Sequence, residues 1–145
     1  MRKDVIIHID GRPKYDGMEG DEIQLTTSGR LYRKNGRYYI MYKESELTGM
    51  EGSTTTLKIE DERITMMRSG TYPSHMVFEK GKKHIGVFKT EVGSMTVGIS
   101  ARDIKNHIND DGGSLTIDYS IEVDYMLTGE NLFHVDVEAQ NPILS

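Results

Sequence analysis

Arg68 is the residue whose type and placement could do chemistry inside this chain. It lies in the run Ile64-Thr-Met66-Met-Arg68, where it shares parity with Ile64 and Met66. In a regular strand alternate residues project to one side, so Arg68 points the same way as apolar neighbours. A guanidinium taken out of water needs acceptors, because its desolvation is otherwise costly. Two readings follow. Arg68 grips a carboxylate or other anion through its planar fork, or it closes one end of the fold against backbone carbonyls or a glutamate. The adjacent pair Met66-Met67 leaves the parity open, and the tendency of buried arginine to be paired favours the structural role.

Histidine and carboxylate recur at a second spacing. His134, Asp136 and Glu138 share one parity, and His8 with Asp10 repeats the His-x-Asp step. Such groups can ligate zinc or manganese, or serve as an acid–base pair. They also occupy the polar positions of amphipathic runs, where solvated charge is the ordinary occupant. No metal and no cofactor is therefore expected, with His134 and Asp136 as the alternative if a metal is held. His75, His84 and His107 have no convincing partner in sequence.

Tyr72, Tyr119, Tyr125 and the pair Tyr38/Tyr42 can line a cavity with polar tips or pack as core. Nine methionines, among them Met66, Met67, Met76 and Met95, suit an adaptable pocket or a gap-filling core. Ser53-Thr54-Thr55-Thr56 supplies hydroxyls. Yet no Gly-x-Ser-x-Gly elbow or phosphate-binding glycine loop is present, so no nucleophile is nominated. With no cysteine at all, disulfides, thiolate metal sites and thiol nucleophiles are excluded.

The elements that position these residues are strands. From Ser114 to Asp124, Leu115, Ile117, Tyr119, Ile121 and Val123 alternate with polar residues. A helix would scatter them, whereas a strand gathers all five on one face. At about 3.3 Å per residue this run is about 35 Å long, and long strands with one buried face curl. Met95, Val97, Ile99 and Ala101 repeat the pattern, as do Phe133, Val135, Val137 and Ala139, and Ile23 with Leu25.

Asn35-Gly36 is the strongest hairpin signal, since both residues tolerate the positive φ of a type I′ turn. A two-residue turn there pairs Lys34 with Arg37, Arg33 with Tyr38 and Leu31 with Ile40. It places Leu31, Tyr38, Ile40 and Tyr42 on one face. Further turns are expected at 60–62, 80–82, 91–93, 110–113 and 128–130. The expected strands are 4–10, 19–28, 30–34, 37–43, 52–60, 62–69, 74–79, 83–91, 94–101, 103–109, 113–124 and 132–139. Segment 101–109 fits one short helical turn, through Ile104 and Ile108, as well as a strand; the parity shift between Ala101 and Ile104 favours a bulged strand. Residues 140–145 read as a loose tail.

The 145 residues fit one domain spanning 1–145, long enough to bury a core without staples. A hydrophobic fraction of 36% with 28% charged residues suits strands wet on one face and suits buried parallel strands poorly. The net charge of −5 opposes nucleic acid and anionic membranes. The basic spots Arg30/Arg33/Lys34/Arg37 and Lys80/Lys82/Lys83 fall at hairpin turns, as solvated charge. No run reaches the roughly 20 apolar residues of a membrane helix, and no signal peptide is evident. Absence of cysteine points to a reducing compartment, so a cytoplasmic protein is expected.

Several signatures together resemble the YwiB-like family of small bacterial proteins of unknown function, assigned to the calycin (lipocalin-like) barrels. They are Arg68-Ser-Gly70, Met76-Val-Phe78 before Gly81, and Phe88-Lys-Thr90-Glu-Val-Gly93-Ser-Met95. Gly113-Ser-Leu115-Thr-Ile117-Asp-Tyr119 and Asn131-Leu-Phe133 complete them. The Gly-x-Trp signature of secreted lipocalins is absent, for the chain has no tryptophan. The resemblance implies a meander barrel and supplies no activity.

The expectation is an all-β antiparallel meander barrel of roughly 8–12 strands, calycin-like, with one domain. Its leading function is holding a small apolar or amphipathic ligand, or a carboxylate-bearing one, on Arg68, Tyr72, Met66, Met76, Phe88 and Tyr119. Two other functions stand beside it. One is a hydrolase or isomerase using a His–carboxylate pair at the barrel mouth. The other is a filled barrel acting as an interaction module or homodimer.

Overall fold

Alternating apolar and polar residues form a meander in which each long strand pairs antiparallel with its sequence neighbour, one step excepted. The structure is a computed structural model that describes residues 1–15, 18–20, 22–45, 51–71, 73–90, 93–124 and 126–140. Of Tyr15, Met18, Glu19, Phe88, Thr90, Leu127 and Thr128 it describes the backbone alone. The strands are β1 (Arg2–Tyr15), β2 (Met18–Glu19), β3 (Ile23–Lys34), β4 (Arg37–Lys43), β5 (Ser53–Ile59) and β6 (Arg63–Gly70). They continue as β7 (Ser74–Glu79), β8 (Lys83–Thr90), β9 (Gly93–Asn109), β10 (Gly112–Val123) and β11 (Met126–Ala139).

The order β7-β6-β5-β4-β3-β1-β11-β10-β9-β8 forms one sheet, with the short β2 paired to the end of β1. Because β11 returns to β1 over Val5↔Ala139 to Lys14↔Glu130, the sheet curls into a nearly closed barrel of ten antiparallel strands. The seam lies between β7 and β8, which sit side by side without a shared ladder. A bridge pairs Glu79 with Lys82 at one end of it. At the other end the Lys89 amide donates to Ser74 Oγ at 3.2 Å. Between them Gly86 lies so near β7 that a Cβ there would stand 2.7 Å from the His75 carbonyl oxygen.

Local chemistry explains the turns. Asn35 (φ 54°) and Gly36 (φ 77°) take the left-handed angles that a type I′ turn demands. Lys34↔Arg37, Arg33↔Tyr38 and Leu31↔Ile40 pair as the sequence requires. The parity shift near Ala101 is a bulge within one continuous strand. Tyr119 faces Ala101 and Asp118 faces Asp103, leaving Arg102 without an opposite residue. Both Ala101 and Ile104 thereby point inward and are buried.

Two expected boundaries are corrected. No break falls at Gly29, where β3 runs straight through. A Cβ there would sit 2.4 Å from the Met41 carbonyl oxygen and 2.5 Å from Ile7 Cδ1, so the glycine admits close packing. Thr128-Gly129-Glu130 is not a turn either. β11 already begins at Met126 and absorbs the extra residue as a bulge opposite Ile121/Glu122. The chain reverses earlier, at Asp124 with φ 52°, whose amide donates to the Thr96 carbonyl at 2.9 Å. Of the expected tail, Gln140 bonds through its amide to the Asp4 carbonyl. Residues 141–145 lie outside the described residues.

The core fills one half of the barrel. Val5, Ile7, Leu31, Ile40, Ile64 and Leu115 are fully buried there. At that end Tyr38 donates its hydroxyl proton to Asp110 Oδ1 at 2.6 Å, and Arg33 reaches the same oxygen at 3.2 Å. Among the described residues no helix is long and apolar enough to cross a membrane.

Candidate functional site

Toward the opposite end the inward rows open. On β3, Leu31 is fully buried, Leu25 is half-buried, and Ile23 is 56% exposed although it keeps inward parity. On β10 the sequence Leu115, Ile117, Tyr119, Ile121 runs the same way, from buried to half-buried. Side chains of one face exchange neighbours for empty space along the barrel axis. The space is a cavity of about 490 Å³. Ile9, Leu25, Met66, Met76, Phe78 and Phe133 supply much of its apolar wall. Phe78 meets Tyr119 edge to face, with ring centroids 4.9 Å apart.

Polar groups enter this wall where an apolar row ends in a polar residue. Met66 leads to Arg68 on β6, and Tyr42 leads to Glu44 just past β4. Both Arg68 and Glu44 are 8% exposed. Thr55 of β5 joins them. Arg68 Nε donates to Thr55 Oγ1 at 3.3 Å, and the Thr55 hydroxyl donates to Glu44 Oε1 at 2.7 Å. Burial lowers the Arg68 pKa, while the charge of Glu44 opposes that fall. Burial, and then Glu44, push the Tyr42 phenol well above its ordinary range. On the facing wall Asn131 donates through Nδ2 to the Tyr119 hydroxyl oxygen at 2.7 Å.

Of the residues expected at a ligand site, Arg68, Met66, Met76 and Tyr119 line this one cavity. Tyr72 and Tyr125 lie outside the described residues, as does the side chain of Phe88. Of the expected tyrosine pair, Tyr42 lines the cavity whereas Tyr38 sits at the filled end. Sequence reading missed Glu44 and Asn131. Their signal was the one that exposed Arg68. Each continues an inward row, Ile40-x-Tyr42-x-Glu44 and Phe133-x-Asn131, with a polar residue.

The histidines go elsewhere. His8 stands opposite Asp136 and Asp10 opposite His134, so both His-x-Asp steps meet on the outer wall. His134 Nε2 lies 3.0 Å from Asp136 Oδ1. The two Nδ1 atoms sit 2.9 Å from Thr26 Oγ1 for His8 and 2.7 Å from Thr116 Oγ1 for His134. Glu138 is exposed. Among the described residues no three His, Asp or Glu side chains form a group that could hold a metal. His84 pairs with Glu79 at 2.9 Å beside the β7–β8 turn, and His75 and His107 are exposed. None of the described cavity-lining residues is a histidine, so the His–carboxylate contacts fall outside the barrel mouth.

The model of a domain of unknown function, DUF1934, matches residues 7–135. The chain belongs to the DUF1934 family. A curated relative of this DUF1934 chain is the uncharacterized beta-barrel protein YwiB of Bacillus subtilis (strain 168). The two are 24% identical over 119 residues, covering 82% of each chain. The crystal structure of the ywiB protein from Bacillus subtilis superposes with a TM-score of 0.84 at 20% identity. That match covers 97% of this chain and 94% of the other. At that identity the likeness fixes the barrel. The family description assigns no function.

Proposed function

We propose that this DUF1934 protein binds one small, largely apolar ligand in the hollow half of its barrel. The observation that carries the reading is the open end of the inward rows, where apolar side chains surround about 490 Å³. That volume lies within the roughly 300–1,000 Å³ of ordinary ligand sites, which are mostly apolar with a few polar groups fixing orientation. It equals about sixteen waters at ~30 Å³ each, a size that fits one small molecule and excludes a folded partner. Transfer of the ligand's apolar surface from water supplies the driving force, at about 25 cal/mol per Å². Met66 and Met76, opposite one another on β6 and β7, adapt their unbranched side chains to its shape. The hollow meander supports a calycin-like mode of binding, and the cysteine-free composition supports a cytoplasmic setting.

Titration with the apolar probe N-phenyl-1-naphthylamine tests this. Its fluorescence is expected to rise and saturate at one probe per chain. Leu25→Trp, which adds bulk to the cavity wall, is expected to weaken binding at least tenfold while the barrel stays folded. A probe that fails to saturate, or that ignores Leu25→Trp, overturns the reading.

A further inference from the structure

Arg68 taken alone points to a carboxylate head on the ligand. The charge beside it points elsewhere. Arg68 and Glu44 are both buried on the cavity wall and are coupled through one hydroxyl, that of Thr55, at 3.3 and 2.7 Å. Arg68 brings only donors, and the Glu44 carboxylate brings only acceptors. The two charges offset one another, so the polar end of the cavity carries no net charge from this pair. A ligand carboxylate that approached Arg68 would bring like charge to Glu44 in a site of low dielectric. An ammonium that approached Glu44 would meet Arg68 in the same way. A head with an acceptor and a donor side by side, and no net charge, meets neither penalty. Its oxygen accepts from Arg68 while its N–H or O–H donates to Glu44. The other polar groups on the wall, Asn131 and the Tyr119 and Tyr42 hydroxyls, are uncharged and compatible with the same head.

We infer that the cavity selects uncharged amphiphiles, with a primary amide or hydroxyl head on an apolar tail, and discriminates against the matching acids and amines. The inference rests on the ligand-binding reading above and narrows it to a chemical class.

A tail-matched series tests it, with octanamide, octanoate and octylammonium each displacing N-phenyl-1-naphthylamine at pH 7. Octanamide is expected to bind at least tenfold more tightly than either charged partner. In Glu44→Gln, which keeps an acceptor for Thr55 and removes the negative charge, octanoate is expected to gain at least tenfold. Octanoate matching or exceeding octanamide in the unaltered protein overturns the inference and leaves the cavity reading standing. Failure of Glu44→Gln to improve octanoate also overturns it. If that variant does not fold, the ranking in the unaltered protein decides alone. If neither the probe nor any octyl compound binds, the cavity reading itself falls, and this inference falls with it.

Discussion

One hydrogen bond at the filled end of the barrel, from Tyr38 to Asp110, contributes to the pH dependence of stability at both extremes. The Tyr38 hydroxyl holds the Asp110 carboxyl below its ordinary range, with Arg33 and Lys3 adding to the effect. Asp110 in turn holds the Tyr38 phenol above its ordinary range. A depressed carboxyl stabilises the fold fully above its unfolded pKa, and that contribution is lost as pH falls through the lower, folded value. A raised phenol behaves in the opposite sense, stabilising below its unfolded pKa and losing the contribution as pH rises through the higher, folded one. Thermal unfolding from pH 3 to 11 is therefore expected to show a drop below about 4 and another above about 10. Asp110→Asn makes the first shallower, with Glu79, also held low by His84, supplying the remainder. Tyr38→Phe makes the second shallower, with the buried Tyr42 phenol supplying the remainder. Unchanged limbs in both variants would remove the pair from any role in stability. The same residue-by-residue view shows how legible the cavity was. Arg68 stood out because a charge shares the parity of Ile64 and Met66 inside the expected strand 62–69. Glu44 and Asn131 interrupt their rows near expected strand ends, where polar residues are ordinary, so period-two counting passed over them. The pairing of Arg68 with Glu44 depends on β4, β5 and β6 lying side by side, which no local pattern encodes.

Strand β9 carries its register in one residue. Val97, Ile99 and Ala101 are buried at odd positions and Ile104 and Ile108 at even ones, and the bulge at Arg102 reconciles them. Removing Arg102 joins Ala101 directly to Asp103 and restores unbroken alternation, inward at Ala101 and again at Ile104. Deletion of Arg102 is therefore expected to leave a folded barrel. It forfeits the ion pairs of Arg102 with Asp118, at 2.6 Å, and with Glu130. These are half-exposed and screened by solvent, so their loss costs at most about 2 kcal/mol. Deleting Lys105 instead flips Asn106 to Asn109 to the wrong face and is expected to abolish folding. Circular dichroism melts and amide NMR spectra of the two deletions separate the cases. A folded Lys105 deletion, or an unfolded Arg102 deletion, contradicts this account of the register. The bulge was legible because buried residues on both sides constrain its parity. The second bulge, in β11, was not. Thr128-Gly129-Glu130 has the composition of a turn, and pairing with β10 overrode that local preference.

At the scale of the whole barrel, closure is complete at β1–β11 and incomplete at β7–β8. Neither fact can be read from strand patterns, because alternation fixes which face is buried but not which edges meet. β1 is bonded on both sides, to β3 and β11, and β10 to β9 and β11. Among the described residues β7 has a ladder only with β6, and β8 only with β9. The seam is held at its two ends, by the Glu79↔Lys82 bridge and by the Lys89 amide on Ser74 Oγ. Seam-facing amides between those points have no ladder partner, so opening there breaks fewer hydrogen bonds than opening elsewhere. Local opening free energies follow such differences. Hydrogen exchange followed by mass spectrometry is thus expected to label 74–79 and 83–90 well before 4–10, 115–119 and 132–137. The seam also borders the cavity, since Met76 and Phe78 of β7 line it. A ligand that fills the space packs against the inner face of β7 and stabilises the closed form by mass action. Saturation with an octyl ligand should then slow exchange in 74–79 while leaving 4–10, already held on both sides, at its original rate. Uniform protection of all these strands would mean that the barrel is continuous around its whole girth, and that ligands enter through the open end alone.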